Sequence, residues 1–320
     1  MGILKHAVAA LVLSASSVLA ADPALLNLIM PDSRAAGGVY VDRTLNSPLG
    51  QFLLSQMQRE DEDFRKFVAA TGFDPRRDLR EILVASTGAP KKGNGLIVAR
   101  GVFNGPQIAA FAKSEGASVT NHMGVDILTG GRGKHESGGV AFLDGSIAIA
   151  GDIDLVKAAI ERRNNPAPLN SKMAAKVSEV SGMYDAWFVS QVPVSEVAPE
   201  GTSNRQVDDA MKSGALRSIE ETSGGLRFGT TIEIAGEAVT TTEKDATALA
   251  DVIRFLAGMV QLNRQNPEMG KLAGLLESLE LSTEANRMKV SLSVPQADLE
   301  EILRSHKARA QMRKADYRQR

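Results

Sequence analysis

The sequence predicts an α+β protein made of two pseudo-repeats, each a hairpin, a helix, a second hairpin and a second helix, with antiparallel sheets covered by helices. Three observations predict it. Short apolar runs with period-two alternation recur between turn residues, the pattern of strands and hairpins. Segments with apolar residues at helical spacing lie between them, behind N-capping residues. A shift of 144 residues also carries Ile82 onto Leu226, the helix at Ile108 onto the helix at Val252, and Asp154-Leu155 onto Asp298-Leu299. One offset that superposes several elements points to internal duplication.

In the first half, Ala21 to Ser33 leads in as a short helix or loop, and Val39-Tyr40-Val41 reads as a strand. Ser47-Pro48 starts a helix, Ser as cap and Pro in the first turn. Phe64, Phe67 and Val68 mark a second helix that stops at Gly72, and the acids Glu60 to Asp63 suit its positive dipole end. The run Phe73-Asp74-Pro75-Arg76-Arg77-Asp78 reads as an Asp-Pro turn into the strand at Ile82, with its arginines paired to its own acids. Its other reading is an anion-binding turn. Leu79 to Ala85 and Leu96 to Val102 are strands, and Gln107 to Lys113 is a helix. Val125 to Leu128 and Val140 to Ile149 read as strands, the second holding a hairpin turn at Asp144-Gly145, where both residues tolerate positive φ. Asp152 caps a helix carrying Leu155, Val156, Ala159 and Ile160.

Pro166 and Pro168 break the chain, so residues 21–163 form one half, 164–170 a linker and 171–303 the other half. Ser171 to Val180 is a helix and Trp187-Phe188-Val189 a strand. A polar stretch leads into helices ending near Glu221. Leu226, Phe228, Thr230, Ile232 and Ile234 alternate with polar residues as one strand, turned at Ala235-Gly236. A long helix carries Leu249 to Val260, a hairpin turns at Asn286, and a last helix starts at Gln296. Residues 304–320 continue it as a basic tail.

The chain opens on an export signal. Lys5 and His6 give a positive head, Ala7 to Leu13 an apolar core, and Val18-Leu19-Ala20 a small-residue cut site after Ala20. The core is shorter than the roughly 20 residues a membrane span needs. There is no twin arginine, and with no Cys there is no lipid-anchor site. These features predict a cleaved chain that does not span the membrane, in the periplasm or outside the cell.

Zero Cys excludes disulfide scaffolds, thiol catalysis and cysteine-bound metals. The tail holds seven basic residues against Asp316; setting these and Lys5 aside leaves 29 basic and 37 acidic residues, a balance of −8. An acidic body argues against nucleic acid as a partner. One Trp, three Tyr and ten Phe are few rings for stacking sugars or bases.

No catalytic motif emerges. Around Gly133-Lys134 a phosphate loop would need Gly at Leu128 and Ser or Thr at His135. No Gly-x-Ser-x-Gly elbow and no Ser-x-x-Lys occurs. His122 and His135, with Asp126 or Asp144, are the weak candidates for a metal site or for an unrecognised hydrolase site. Asp152 and Asp154 lack the further ligands of a calcium loop. Arg309, Arg313 and Lys314 in the tail are candidate contacts for an anion or an acidic partner. No cofactor is implied.

Phe73-Asp74-Pro75-x-x-Asp78-Leu79, Gly124-Val125-Asp126-Ile127-Leu128 and Phe142-Leu143-Asp144-Gly145-Ser146-Ile147-Ala148, together with the export signal, resemble an uncharacterised family of exported bacterial proteins. The resemblance covers residues 70–163 and implies no activity. The expectation is an exported, non-enzymatic envelope protein that binds a partner or small ligand, for instance between its halves. The alternatives are a periplasmic hydrolase near His122 and His135, and a secretion or surface-assembly subunit with an open strand edge.

Overall fold

The computed structural model describes residues 20–56, 62–88, 95–130, 138–197 and 214–304. In the first half, α1 (Pro23–Leu26) leads to β1 (Ala35–Tyr40), followed by α2 (Val41–Asn46), α3 (Pro48–Gln56), α4 (Glu62–Thr71) and α5 (Pro75–Asp78). Then come β2 (Leu79–Ser86), β3 (Gly95–Gly101), α6 (Gly105–Ser114), β4 (Ala117–His122), β5 (Val125–Gly130), β6 (Gly138–Asp144), β7 (Ile147–Asp152) and α7 (Ile153–Asn164). The second half has α8 (Ser171–Met183), β8 (Ala186–Ser190), α9 (Val194–Val197), α10 (Gly214–Arg217), β9 (Ile219–Arg227), β10 (Thr231–Thr240), α11 (Glu243–Leu262), α12 (Pro267–Leu275), β11 (Glu280–Glu284) and β12 (Arg287–Pro295). Residues 296–304 form α13.

Local chemistry sets the helix starts. Orphan first-turn N–H groups need acceptors. Asp22, Asp74, Asn104, Asp152, Asn170 and Thr242 each accept one with their side chains. Ser47 Oγ accepts from Gly50 N at 3.0 Å, as the Ser-Pro start predicts. The Asp-Pro turn is α5, where Arg76 pairs with Asp74 at 2.6 Å and Arg77 with Asp78 at 2.7 Å. Arg77 also donates to the Gly72 carbonyl, so both guanidiniums are engaged within the turn.

Among the described residues, twelve antiparallel strands form one sheet in the order β11-β12-β10-β9-β8-β1-β2-β3-β7-β6-β5-β4. Outward from the β8–β1 seam, β9, β10, β12 and β11 on one side occupy the places of β2, β3, β7 and β6 on the other. Helices α6 and α11 follow equivalent strands, as do α7 and α13. β4 and β5 extend the first side of the sheet, where α12 stands on the second.

Cross-strand partners share a face, so each row across the sheet has one environment. One row runs Ile127, Ala141, Ile149, Val98, Leu83, Gly38, Trp187, Gly225, Ala235, Ser291, Glu280. Its apolar part, from Ile127 to Trp187, is the floor of the main core, covered by α7 and α8 through Val156, Ala159, Ile160, Met173 and Val177. Past Gly225 the same face turns polar. On the opposite face, α11 packs Leu249 and Ala250 over Ala238 and Met288 at one end. At the other end, Leu49 and Phe52 of α3 and Leu299 and Leu303 of α13 cover Ile232. Phe67, Phe73, Phe103, Phe111 and Phe142 form a ring cluster beside the first half.

Three expectations are corrected, and one strand is added. Residues 226–234 are not one strand: β9 ends at Arg227 and β10 begins at Thr231, so the turn lies at 228–230 and Ala235-Gly236 sit within β10. The segment before Glu221 is strand from Ile219, not helix. β4 had no sequence expectation. The Asp144-Gly145 hairpin exists, yet neither residue takes positive φ. Instead the Asp144 carboxylate accepts from Ser146 N at 2.7 Å and Ile147 N at 3.1 Å, closing the turn with a side chain.

Candidate functional site

Among the described residues, no helix covers the middle of the second face. Its central row runs Val140, Ala150, Ile97, Val84, Gly37, Phe188, Gly224, Gly236, Val290, Leu281. Ile97 and Val84 are each 45% exposed and Phe188 is 46% exposed. Exposed apolar side chains grouped this closely are the kind of surface that interaction sites use. A groove of about 480 Å³ crosses the β1–β8 seam here, lined by Val39, Ile82 and Val84 from the first half and Phe188, Leu226 and Ile234 from the second. Among the described residues, no charged side chain lines it.

Glycine makes the groove. Phe188 is flanked across the ladder by Gly37 and Gly224, so its ring has no directly paired side chain on either adjacent strand. On the opposite face Gly38 pairs with Trp187, and a Cβ at position 38 would lie 2.7 Å from three atoms of the indole. The indole fills the space of the missing side chain and is 4% exposed. Glycine inside a strand marks such close approaches. The pairs Gly37-Gly38 and Gly224-Gly225 were the sequence signal for this site, and only the register shows that both meet Trp187-Phe188.

A second concavity, of about 560 Å³, lies where the main-core face turns polar, between α8 and β9, β10, β12 and β11. Lys176 Nζ donates to Glu237 Oε1 at 3.0 Å and to Glu179 Oε2 at 3.2 Å, and Arg287 Nη1 donates to the same Glu237 oxygen at 2.7 Å. Burial pulls the Lys176 ammonium down, but the bonds to Glu237 and Glu179 outweigh it and hold it above the ordinary lysine value. Burial pushes Glu237 up, and Lys176 and Arg287 together hold it below the usual glutamate range. These charges satisfy one another, which makes the cleft a structural ion-pair network.

Among the residues predicted from sequence, His122 ends β4, and its Nε2 lies 2.9 Å from Glu161 Oε1 on α7. Its carboxylate neighbour is thus Glu161, not Asp126 or Asp144. Asp126 accepts from Asn121, and Asp144 is held by Ser146 and Arg163. Among the described residues, no three His, Cys, Asp or Glu side chains are grouped to hold a metal. His135, Arg309, Arg313 and Lys314 lie outside the described residues. Among the described residues no helix is long and apolar enough to cross a membrane.

No known protein family matches this chain, and no curated protein does. Among solved structures, crystal form III of TP0453 is similar at TM-score 0.52 and 11% identity, over 88% of this chain and 97% of that one. Crystal form I of TP0453 is similar at TM-score 0.49 and 11% identity, over 90% of this chain and 99% of that one. At this identity the likeness is one of fold.

Proposed function

We propose that this chain is an exported, non-enzymatic binding protein whose seam groove receives the apolar part of a small ligand or partner. The observation that carries the reading is the bare central face: exposed Ile97, Val84, Phe188 and Ile234 beside a groove without a charge. The reading includes cleavage after Ala20, release into the envelope, and an origin of the halves 21–163 and 171–303 in one duplicated unit. The mirrored strand order about the seam supports that duplication, and the groove crosses that seam. An apolar groove fixes a ligand mainly by area removed from water, about 25 cal/mol per Å².

The test is titration of the chain beginning at Ala21 with a fluorescent anilinonaphthalene sulfonate probe. Phe188→Glu and Val84→Glu each place a charge in the groove at exposed positions. Each is expected to weaken probe binding about tenfold, equivalent to about 1.4 kcal/mol, with the melting temperature kept. Undiminished binding in both variants would sink the reading.

A second reading, a surface-assembly subunit, draws on β4. This edge strand runs Ala117-Ser118-Val119-Thr120-Asn121-His122, with no Pro, Lys, Asp or Glu to block further pairing. Val119→Lys would abolish concentration-dependent assembly in sedimentation if the edge is used, and would change nothing if it is not.

A further inference from the structure

The segment just after the predicted cut site is sewn into the core. Ala21 is 2% exposed, and its backbone N donates to Ser181 Oγ of α8 at 3.0 Å. Ser181 is fully buried. The next N–H, of Asp22, donates to Glu81 Oε1 of β2 at 3.3 Å, and Glu81 is buried. The Asp22 carboxylate caps α1 and pairs with Arg100 of β3. Tyr40 Oη donates to the Ser181 carbonyl at 3.1 Å, closing the wall around the same spot.

The chemistry of this spot is unbalanced for an ordinary peptide N–H. Glu81 is a buried carboxylate, and burying a charge is costly unless it is paired. Arg100 is committed to Asp22. Burial pushes the Glu81 carboxyl above the usual glutamate value; the Asp22 N–H bond and the more distant Arg100 and Arg43 do not restore it. Burial, and then Glu81, push the Tyr40 hydroxyl up to about 12. Among the described residues, no cation is bonded directly to Glu81. The backbone atom one peptide unit before the Asp22 N–H is the nitrogen of Ala21.

We propose that Ser181 and Glu81 form the seat for a free α-ammonium at Ala21, so that processing after Ala20 completes the fold. This rests on the export reading. Hydrolysis breaks the Ala20 C–Ala21 N bond; water supplies the new carboxylate oxygen on Ala20, and the amine takes up protons to become –NH₃⁺. One N–H donor becomes three and a positive charge arrives beside Glu81. The first donor keeps Ser181 Oγ, and the others and the charge compensate the carboxylate. A charge-assisted bond of this kind is roughly twice as strong as a neutral one. Ala20 is half-buried and Ala21 buried, so the hydrolase acts before this segment docks.

The seat predicts that one substitution changes sign with the state of the N-terminus. Chains beginning at Ala21 and at Val18 are compared by thermal unfolding at pH 7, each as wild type, Glu81→Gln and Ser181→Ala. From Val18, position 21 is an amide, and Glu81→Gln removes an undercompensated charge; the midpoint is expected to rise by roughly 2–4 °C. From Ala21, Glu81→Gln removes the partner of the ammonium; the midpoint is expected to fall by about as much. Ser181→Ala is expected to lower the midpoint more from Ala21 than from Val18. Equal shifts of Glu81→Gln in both chains overturn the seat. Where Glu81→Gln fails to fold in both, equal losses for Ser181→Ala overturn it instead. N-terminal sequencing of the exported protein is a separate arm. A first residue other than Ala21 overturns the cut site of the export reading, and with it the natural use of the seat, even where the sign change is seen.

Discussion

The indole of Trp187 stands where a side chain on Gly38 would be, and this contact joins the two halves. Gly38 lies in β1 and Trp187 in β8, the strands on either side of the seam, and each is paired directly to the other. A Cβ at position 38 would lie 2.7 Å from Cε2, Cζ2 and Nε1 of the ring. The ring is rigid and packed in the main core, so it cannot yield without displacing neighbours. Gly38→Ala is expected to cost about 2 kcal/mol, within the range for an overpacked core. The midpoint of urea unfolding is the measurement. An unchanged midpoint would mean that the seam adjusts freely.

The ion-pair network in the polar cleft gives stability a defined pH window. Glu237 is held below its ordinary value, chiefly by Lys176 and Arg287, against burial. The folded state then binds its proton more weakly than the unfolded chain. Its contribution is complete above the unfolded value of about 4.3 and is lost as pH falls through the lower folded value. Lys176 is held above its ordinary value, so its contribution is complete below about 10.4 and is lost as pH rises through the higher folded value. Glu237→Gln should destabilise by about 1–2 kcal/mol at pH 7. The gap to wild type should stay constant from about pH 6 to 9 and narrow below about pH 4. A gap that persists at pH 3 would show that the carboxylate charge is not the source.

The parts of the fold legible in sequence are those set by neighbours in the chain. The α5 turn was readable because Asp74, Arg76, Arg77 and Asp78 pair among themselves. The β9–β10 hairpin was not, for a geometric reason. Partners equidistant from the turn share a face, as Leu226 and Ile234 do, so apolar alternation passes through the turn unbroken. Gly229, between Phe228 and Thr230, was the one local hint. The seam groove was illegible because its lining comes from five strands whose register no local pattern fixes. The seat at Ala21 needed Ser181 and Glu81, 160 and 60 positions away in sequence.

The β4–β5 hairpin offers a stabilising change for the same local reasons. His122 pairs with Val125, leaving Met123-Gly124 as a two-residue turn with φ of 51° and 82°. Two positive φ values are the backbone of a type I′ turn, which matches the twist of the strands it joins. Gly124 takes this conformation freely. Met123 does not, because its Cβ crowds the backbone there, and its exposed side chain offsets little of that strain. Asn tolerates the left-handed region best among residues with a Cβ, and Asn-Gly is the preferred pair for this turn. Met123→Asn is therefore expected to stabilise by about 0.5–1 kcal/mol, raising the melting temperature by roughly 2 °C. The side chain at 123 touches neither the groove nor the polar cleft, so probe binding should not change. A loss of stability would show that the Met123 side chain makes a contact worth more than the strain of its backbone.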